Sequence, residues 1–227
     1  ALISKVFANQ GVEALTPMLS YLMLVAFVLF MQLFLVYSLF LKLLSGLSPK
    51  IFFTKVRSSI VFALSTASSN ATLPITMKTV TQRLGVKRSI AAFIVPLGAT
   101  LNMDGTAIMQ GVATVFIAQA YNVELSWVSY LIVVLTATLA SVGTAGVPGV
   151  GLITLAMVLR QVGLPVEGVA LIIGVDRLLD MARTAVNVCG DAIVSCIVAK
   201  SEDAFDSDIF YSEDIKEQSV PSPQVST

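Results

Sequence analysis

The sequence has no histidine, only two cysteines and few charged side chains. The absence of histidine excludes Ser-His hydrolase chemistry and imidazole metal sites. Cys189 and Cys196 are seven positions apart, about 10 Å along one helix, which is too far for a disulfide. Charged residues form 12% of the chain, about half of the roughly 25% found in soluble domains. With 56% hydrophobic residues and a mean hydropathy of +0.88, the chain is predicted to be an integral membrane protein.

Charge is distributed unevenly along the chain. No acidic residue lies between Glu13 and Asp104, whereas eight of the fourteen basic residues do. Short loops rich in Lys and Arg stay on the cytoplasmic side of a membrane, so we expect residues 42–57 and 78–88 to face the cytoplasm. The net charge is zero, which predicts no general attraction to nucleic acid.

Two ordinary membrane helices are predicted at the ends of the main hydrophobic region. Residues 18–44 begin with an uncharged run that is long enough to cross a bilayer, and residues 167–200 form the last span. Residues 1–16 are predicted to be the end of an earlier helix and a loop, so that the chain is the C-terminal portion of something longer. Residues 201–227 are acidic and are predicted to be a flexible cytoplasmic tail.

Three segments between these helices are interrupted by polar residues, glycine or proline. Residues 50–82 carry a polar run from Ser65 to Pro74 between two basic clusters, which predicts a re-entrant hairpin with both ends on one side. Residues 89–121 form a span broken near Asp104. Residues 125–163 are too short for two full spans and are broken by glycines, which predicts a second hairpin entering from the opposite face. Secondary transporters use such inverted repeats of interrupted helices to build a site at the membrane midplane.

The last span carries a stripe of polar residues. At 100° per residue they occupy one arc of about 100°, at a cost of roughly 2.5–3.5 kcal/mol per charge in lipid, so the arc must face a site or a partner. The structural alternative is an Asp180–Arg183 ion pair that holds a helix bundle together. Arg177, at the edge of the arc, would reach the membrane surface or pair with Asp176. The members of the arc are Asp176, Asp180, Arg183, Thr184, Asn187 and Asp191.

A second candidate site lies in the broken span. Asp104 is flanked by Asn102 and Thr106, and their oxygens, together with carbonyls released by unwinding, are the ligands that Na⁺ prefers. Asp191 can supply a second anionic ligand. The structural alternative is a helix kink with a hydrogen-bonded aspartate. The Ser/Thr tip of the first hairpin could likewise be a packing surface of small residues.

Two other functional classes fit the sequence less well. An intramembrane aspartyl protease could use Asp104 and Asp180, but Arg183 would keep its neighbour ionised instead of letting the two carboxylates share a proton. A channel would use rings of charge or carbonyls and gives the hairpins no role. The residues therefore favour a secondary transporter and not an enzyme.

Three motifs in order resemble the glutamate/aspartate: cation symporter family: NMDGT at 102–106, GTAGVPG at 143–149 and DMARTAVNV at 180–188. The resemblance covers about residues 1–200. It implies an all-α integral membrane protein with transmembrane helices and two opposed re-entrant hairpins, in which residues 17–200 form a transport domain that moves like an elevator. It also implies a homotrimer in the cell membrane, formed through a missing N-terminal scaffold.

The resemblance further implies Na⁺-coupled import of aspartate or glutamate, with Na⁺ as coupling ion and no other cofactor. Arg183 resembles the group for the substrate's side-chain carboxylate, and Asp180 the group for its ammonium. Asn187 and Ser69 resemble the groups at the α-carboxylate. The residues that resemble the remaining pocket wall are Ala67, Thr106, Val147, Gly149, Gly151 and Thr184.

For sodium, the resemblance implies three sites. Asn102 and Asp104 resemble part of one, whose other ligands would lie outside this chain. The residues of a second site resemble Na⁺ ligands of the family: Gly98, Asn102, Asn187 and Asp191. A third site, formed when the second hairpin closes, uses backbone groups of Thr100, Met103, Ser141, Val142 and Thr144, as the resemblance implies.

The chain departs from the family pattern at several positions. Relatives commonly have a serine triplet where this chain has Ala67-Ser68-Ser69, and the animal carriers have arginine where it has Met181. The second basic side chain that relatives place near the pocket is therefore missing here, unless Arg177 takes its place. Gln110 replaces a glutamate that the animal glutamate carriers use for proton and potassium coupling, so neither is expected. A proton-coupled carrier or a C4-dicarboxylate carrier of the same family is the alternative function.

Overall fold

The computed structural model describes residues 15–212, which are helical apart from short connections. The described residues contain no strand beyond an isolated bridge between Val86 and Phe205. The predicted helix end and loop at 1–16 lie almost wholly outside this range. The helical elements are α1 (Leu15–Met31), a π-helical turn (Gln32–Val36), α2 (Tyr37–Ser45), α3 (Pro49–Thr66), α4 (Ser69–Gln82), α5 (Arg88–Leu101), α6 (Asp104–Ala120), α7 (Trp127–Ser141), α8 (Val150–Gln161), a 3-10 turn (Val166–Leu171), α9 (Ile173–Ser201) and α10 (Ser207–Tyr211).

Within residues 15–212, three stretches of helix are long and apolar enough to cross a membrane. They are Thr16–Ser45, Arg88–Ala120 and Ile173–Ser201. The first presents large apolar side chains on its surface, among them Met23, Phe27 and Leu43. Such a surface is unfavourable in water and suited to lipid or to another apolar partner, which supports the prediction of a membrane-embedded protein.

The two segments predicted as hairpins, 50–82 and 125–163, each form a pair of packed helices. Helices α3 and α4 pack against each other and are joined by Ala67, whose φ of 51° is left-handed, and by Ser68. The Ser68 hydroxyl accepts a hydrogen bond from Ala71 N and so caps α4. Helices α7 and α8 also pack together, and Gly143 and Gly149 adopt the positive φ that their turn requires.

Helix α9 lies at the centre of the fold. It packs against α3, α4, α5 and α6, and also against α1 and α2. Its apolar face joins a core that includes Val25, Phe52 and Met109, while its polar arc is buried as well. A helix buried on both faces can hold charged residues only if other groups compensate them.

The acidic tail is ordered over residues 202–212, where we expected flexibility from 201 onward. Lys87 N donates to Ala204 O at 2.9 Å, and Asp206 N donates to Gly85 O at 2.7 Å. The segment contains apolar side chains between its acidic residues, and one of them, Phe210, is fully buried. Residues 202–212 are called the C-terminal strap below; 213–227 lie outside the described residues.

Candidate functional site

The tips of the two hairpins meet at one backbone carbonyl. Gly146 O accepts a hydrogen bond from the Ser68 hydroxyl at 2.6 Å and another from Asn70 N at 3.1 Å. A Cβ on residue 146 would lie 2.9 Å from Asn70 Oδ1, so the contact depends on glycine. The two hairpins therefore close over the centre of the molecule.

The second hairpin is also attached to the interrupted span and to α9. Gly143 N donates to Thr100 O at 2.8 Å, near the break between α5 and α6. Gly149 N donates to the Asp180 carboxylate at 2.9 Å. These two bonds hold the hairpin against α5 and α9.

A small cavity of about 20 Å³ lies beneath the tips. That volume holds about one water molecule, which is too little for a molecule as large as an amino acid. Of the predicted substrate residues, only Gly149 and Arg183 are absent from its wall. The predicted residues on the wall are Ala67, Ser69, Thr106, Val147, Gly151, Asp180, Thr184 and Asn187.

Arg183 is buried between two carboxylates. Its NH1 lies 3.0 Å from Asp176 Oδ1 and its NH2 lies 2.7 Å from Asp180 Oδ1, and the residue is 1% exposed. A Cβ on Gly151 would lie 3.4 Å from NH2, so the guanidinium sits directly behind the start of α8. Its Nε has no hydrogen-bond partner among the described residues.

This geometry bears on two alternatives that the sequence left open. The ion pair that the sequence offered as a structural alternative is present, and it includes Asp176 as well as Asp180. Arg183 therefore does not need a ligand to satisfy its charge, as two protein carboxylates do so here. Arg177 approaches Asp180, at 4.0 Å, instead of Asp176, and its side chain is 60% exposed.

The residues of one predicted sodium site converge around Asp191. The Asn102 amide donates to Asp191 Oδ1 at 3.0 Å, and Asp191 is 2% exposed. A side chain at Gly98 would overlap the same carboxylate. Asn187, the fourth member, points elsewhere: its Oδ1 accepts from Gly105 N at 2.8 Å, and its Nδ2 contacts Met103 Sδ.

Another predicted sodium site brings backbone groups of two segments together. The Thr100–Gly143 hydrogen bond joins the end of α5 to the second hairpin. The hydroxyls of Ser141 and Thr144 are buried and donate to carbonyls of α7, Thr138 O and Ala140 O. Val142 N donates to Thr138 O.

Asp104 has two partners that the sequence analysis missed. Tyr37 Oη donates to Asp104 Oδ2 at 2.9 Å, and Gln32 Nε2 donates to the same oxygen at 3.3 Å. Gln32 is the single amide in the uncharged run of residues 18–41. A polar group within a membrane span points to a site or a partner, so this signal was available in the sequence.

The fold and the site define a helical protein suited to a membrane, with a buried cluster of charged residues between interrupted helices. Residues 1–201 match the sodium:dicarboxylate symporter family, and the chain belongs to that family. The family consists of transporters, so transport and not catalysis is the activity expected of its members.

Curated relatives agree with this assignment. The chain is 41% identical over 206 residues to the proton/glutamate-aspartate symporter of Escherichia coli K12, covering 91% of this chain and 47% of that protein. It is 51% identical over 151 residues to an excitatory amino acid transporter of Caenorhabditis elegans, covering 66% of this chain and 30% of that protein. It is 46% identical over 173 residues to human excitatory amino acid transporter 2, covering 74% of this chain and 30% of that protein. The chain thus spans less than half the length of these relatives.

Proposed function

We propose that the full-length protein is a sodium-coupled symporter that imports aspartate or glutamate. The observation that carries this proposal is the buried Asp176–Arg183–Asp180 cluster behind a cavity closed by two hairpin tips. A fixed guanidinium selects a carboxylate, and a neighbouring carboxylate selects an ammonium. An acidic amino acid carries both groups.

Substrate binding is proposed to exchange the partners of Arg183. The ligand's side-chain carboxylate replaces Asp180 at NH2, and Asp180 in turn binds the ligand's ammonium. Asp176 stays on NH1, since it is absent from the cavity wall whereas Asp180 is part of it. Ser69 and Asn187, which both line the cavity, are the proposed partners of the α-carboxylate. No charge is left unpaired at either stage, which avoids the penalty of a buried lone ion.

The hairpins are proposed to be re-entrant and to act as gates. Because the cavity holds about one water, entry requires the second hairpin to give up its bonds to Thr100 and Asp180. Its glycines at 143 and 149 have the conformational freedom that this movement needs. The closed unit then crosses the membrane like an elevator, against a trimeric scaffold formed by preceding helices.

Sodium is the proposed coupling ion. Asp191, Asn102 and the backbone near Gly98 supply one oxygen site, and Asp104 supplies a carboxylate for another. In the closed arrangement, the backbone at Thr100 is bonded to the second hairpin. An ion that binds there stabilises the closed state and thereby favours substrate retention, which is how coupling arises from differential affinity.

A proton is the alternative coupling ion, because the Escherichia coli relative is a proton/glutamate-aspartate symporter. Gln110, which is buried and donates to Thr154 Oγ1 at 2.6 Å, has no proton to exchange at this position. A C4-dicarboxylate fits less well than an amino acid, since it has no ammonium for Asp180.

Uptake by the reconstituted full-length protein tests the proposal. Labelled aspartate should accumulate in liposomes under an inward sodium gradient at equal pH, and not under a pH gradient without sodium. Unlabelled glutamate should compete, whereas succinate and alanine should not. Accumulation driven by pH alone would refute sodium coupling, and competition by alanine would refute selection of acidic substrates.

A further inference from the structure

The helix formed by α1 and α2 widens into a π turn at the point where it meets Asp104. Tyr37 N donates to Gln32 O, the i,i+5 bond that defines this turn. In a regular α-helix these two side chains would point about 140° apart. The wide turn instead brings both of them to the same oxygen, Asp104 Oδ2.

This arrangement fixes one oxygen of the carboxylate and leaves the other available. Both hydrogen bonds end on Oδ2, and within residues 15–212 no donor reaches Oδ1. Tyr37 is buried and Gln32 half-buried, so the two donors have little freedom to turn away. Two donors on one oxygen set the plane of the carboxylate and present Oδ1 to a ligand.

A glycine connects this group to the other candidate ion site. A Cβ on Gly190 would lie 2.5 Å from Tyr37 Oη and 2.6 Å from Asn102 Nδ2. The tyrosine hydroxyl and the asparagine amide therefore lie within about 5 Å of each other beside Gly190 of α9. Asn102 in turn donates to Asp191, so Tyr37 contacts one of the carboxylates that we assign to ions and lies close to the partner of the other.

We propose that Gln32 and Tyr37 are positioning residues that orient Asp104 toward the cation that couples transport. The proposal rests on the proposed sodium-coupled function and adds α1–α2 to the ion-binding apparatus. The two residues act through Asp104 and do not bind the cation themselves. The alternative is a structural role, in which they only attach this helix to α6.

Sodium binding without substrate separates the two roles. The melting midpoint of the purified full-length protein is measured against NaCl, with choline chloride keeping the ionic strength constant, because a bound ion stabilises the folded state by mass action. Tyr37→Phe should raise the half-effective sodium concentration roughly tenfold, as expected for a lost hydrogen bond to a charged group. Gln32→Leu should shift it in the same direction by less. The concentration dependence is the readout, so a general loss of stability does not mimic the effect.

Tyr21→Phe is the matched control. Tyr21 is equally buried on α1, but its hydroxyl has no hydrogen-bond partner among the described residues, so its sodium response should stay at the wild-type value. In liposomes, Tyr37→Phe should keep the wild-type KM for aspartate when sodium is saturating. A purely structural role would change that KM or the maximal rate without moving the sodium dependence.

The double variant tests whether Tyr37 acts through Asp104. Asp104→Asn should itself weaken the sodium response, and adding Tyr37→Phe should change it no further. An unchanged sodium response in Tyr37→Phe, or an equal additional shift in the Asp104→Asn background, would overturn the proposal. A wild type that ignores sodium would refute sodium coupling instead. The same variants would then be compared for pH-dependent uptake, where an unchanged pH profile in Tyr37→Phe would overturn the positioning role separately.

Discussion

At the scale of single residues, the chemistry of the site depends on one guanidinium with two carboxylates. Arg183 donates to Asp176 and Asp180 at hydrogen-bond distance, and all three residues are buried. Breaking a buried ion pair from one side costs about 3–5 kcal/mol, because the remaining charge is left uncompensated. Substitutions here should therefore change which ligand is accepted more than whether the ions bind.

Replacing Arg183 by cysteine should change the substrate class. Without the guanidinium, a side-chain carboxylate on the ligand has no cation to bind, while Asp180 still serves the ammonium. We expect Arg183→Cys to lose aspartate and glutamate uptake by a factor of 100 or more, following from about 3 kcal/mol. It should retain sodium-dependent binding of serine or alanine.

Asp180→Asn is the complementary variant and should lose every amino acid, since the ammonium then has no anionic partner on the cavity wall. Uptake of labelled aspartate, serine and alanine measures both effects. Wild-type affinity for aspartate in Arg183→Cys would show that another residue recognises the side-chain carboxylate.

The sequence predicted the residues of this site better than it predicted their partners. The 100° periodicity of α9 placed Asp176, Asp180 and Arg183 on one arc, because a regular helix fixes direction. It could not show that both aspartates bind the arginine, since that depends on side-chain torsions. The periodicity also could not predict that Gln32 and Tyr37 both reach Asp104. A π turn separates the two residues, and it changes the angular spacing that the periodicity assumes.

At the scale of elements, the second hairpin is held closed by backbone groups. Gly149 has a φ of 80°, and its N–H donates to Asp180, so its conformation and its contact are linked. Hairpins of this kind could be predicted because glycine, serine and proline interrupt otherwise apolar runs. Their contact through Gly146 O could not, as it joins residues 78 positions apart.

Gly149→Ala should weaken the closed state of the second hairpin. A left-handed conformation costs a residue with a Cβ about 1–2 kcal/mol, which corresponds to roughly a 5- to 30-fold loss of closure. We expect the KM for aspartate to rise by about that factor in the uptake assay.

Gly163→Ala is the control for this change. Gly163 has a similar φ of 72° and open space around its Cβ position, but it follows α8 at the far end of the hairpin from the tip. It should lose similar thermal stability and keep the wild-type KM. Equal effects of the two alanines on KM would argue against a specific role of Gly149 in closure.

At the scale of the whole molecule, the C-terminal strap joins the end of α9 to the first hairpin. Lys55 Nζ on α3 donates to Ile209 O at 2.6 Å, and a side chain at Gly85 would overlap the backbone of Asp206. The acidic composition of this segment predicted solvent exposure. Its four acids are exposed, as that composition predicts, but Ala204 and Phe210 are buried. The surfaces of α3 and of the turn after α4 that cover them exist only in the assembled fold.

Removing the aromatic anchor of the strap should reduce stability without altering recognition. Phe210 is fully buried, so Phe210→Ala is expected to cost about 3–5 kcal/mol, seen as a lower melting midpoint of the full-length protein. The KM for aspartate and the sodium dependence should stay at their wild-type values. Tyr211→Ala, on the same short helix but 53% exposed, is the control and should change little. A shift in sodium dependence with unchanged stability would assign the strap a different role.

The meeting of the hairpin tips at Gly146 O has a consequence for how this contact responds to mutation. The acceptor is part of the main chain, and a Cβ at its position would lie 3.1 Å from Asn70 N, so a side chain there would crowd the tip of the first hairpin. One donor, Asn70 N, is also main chain. Only the Ser68 hydroxyl can be gained, lost or replaced by mutation. Substitution at Ser68 therefore removes one of the two hydrogen bonds and leaves the main-chain bond from Asn70 in place.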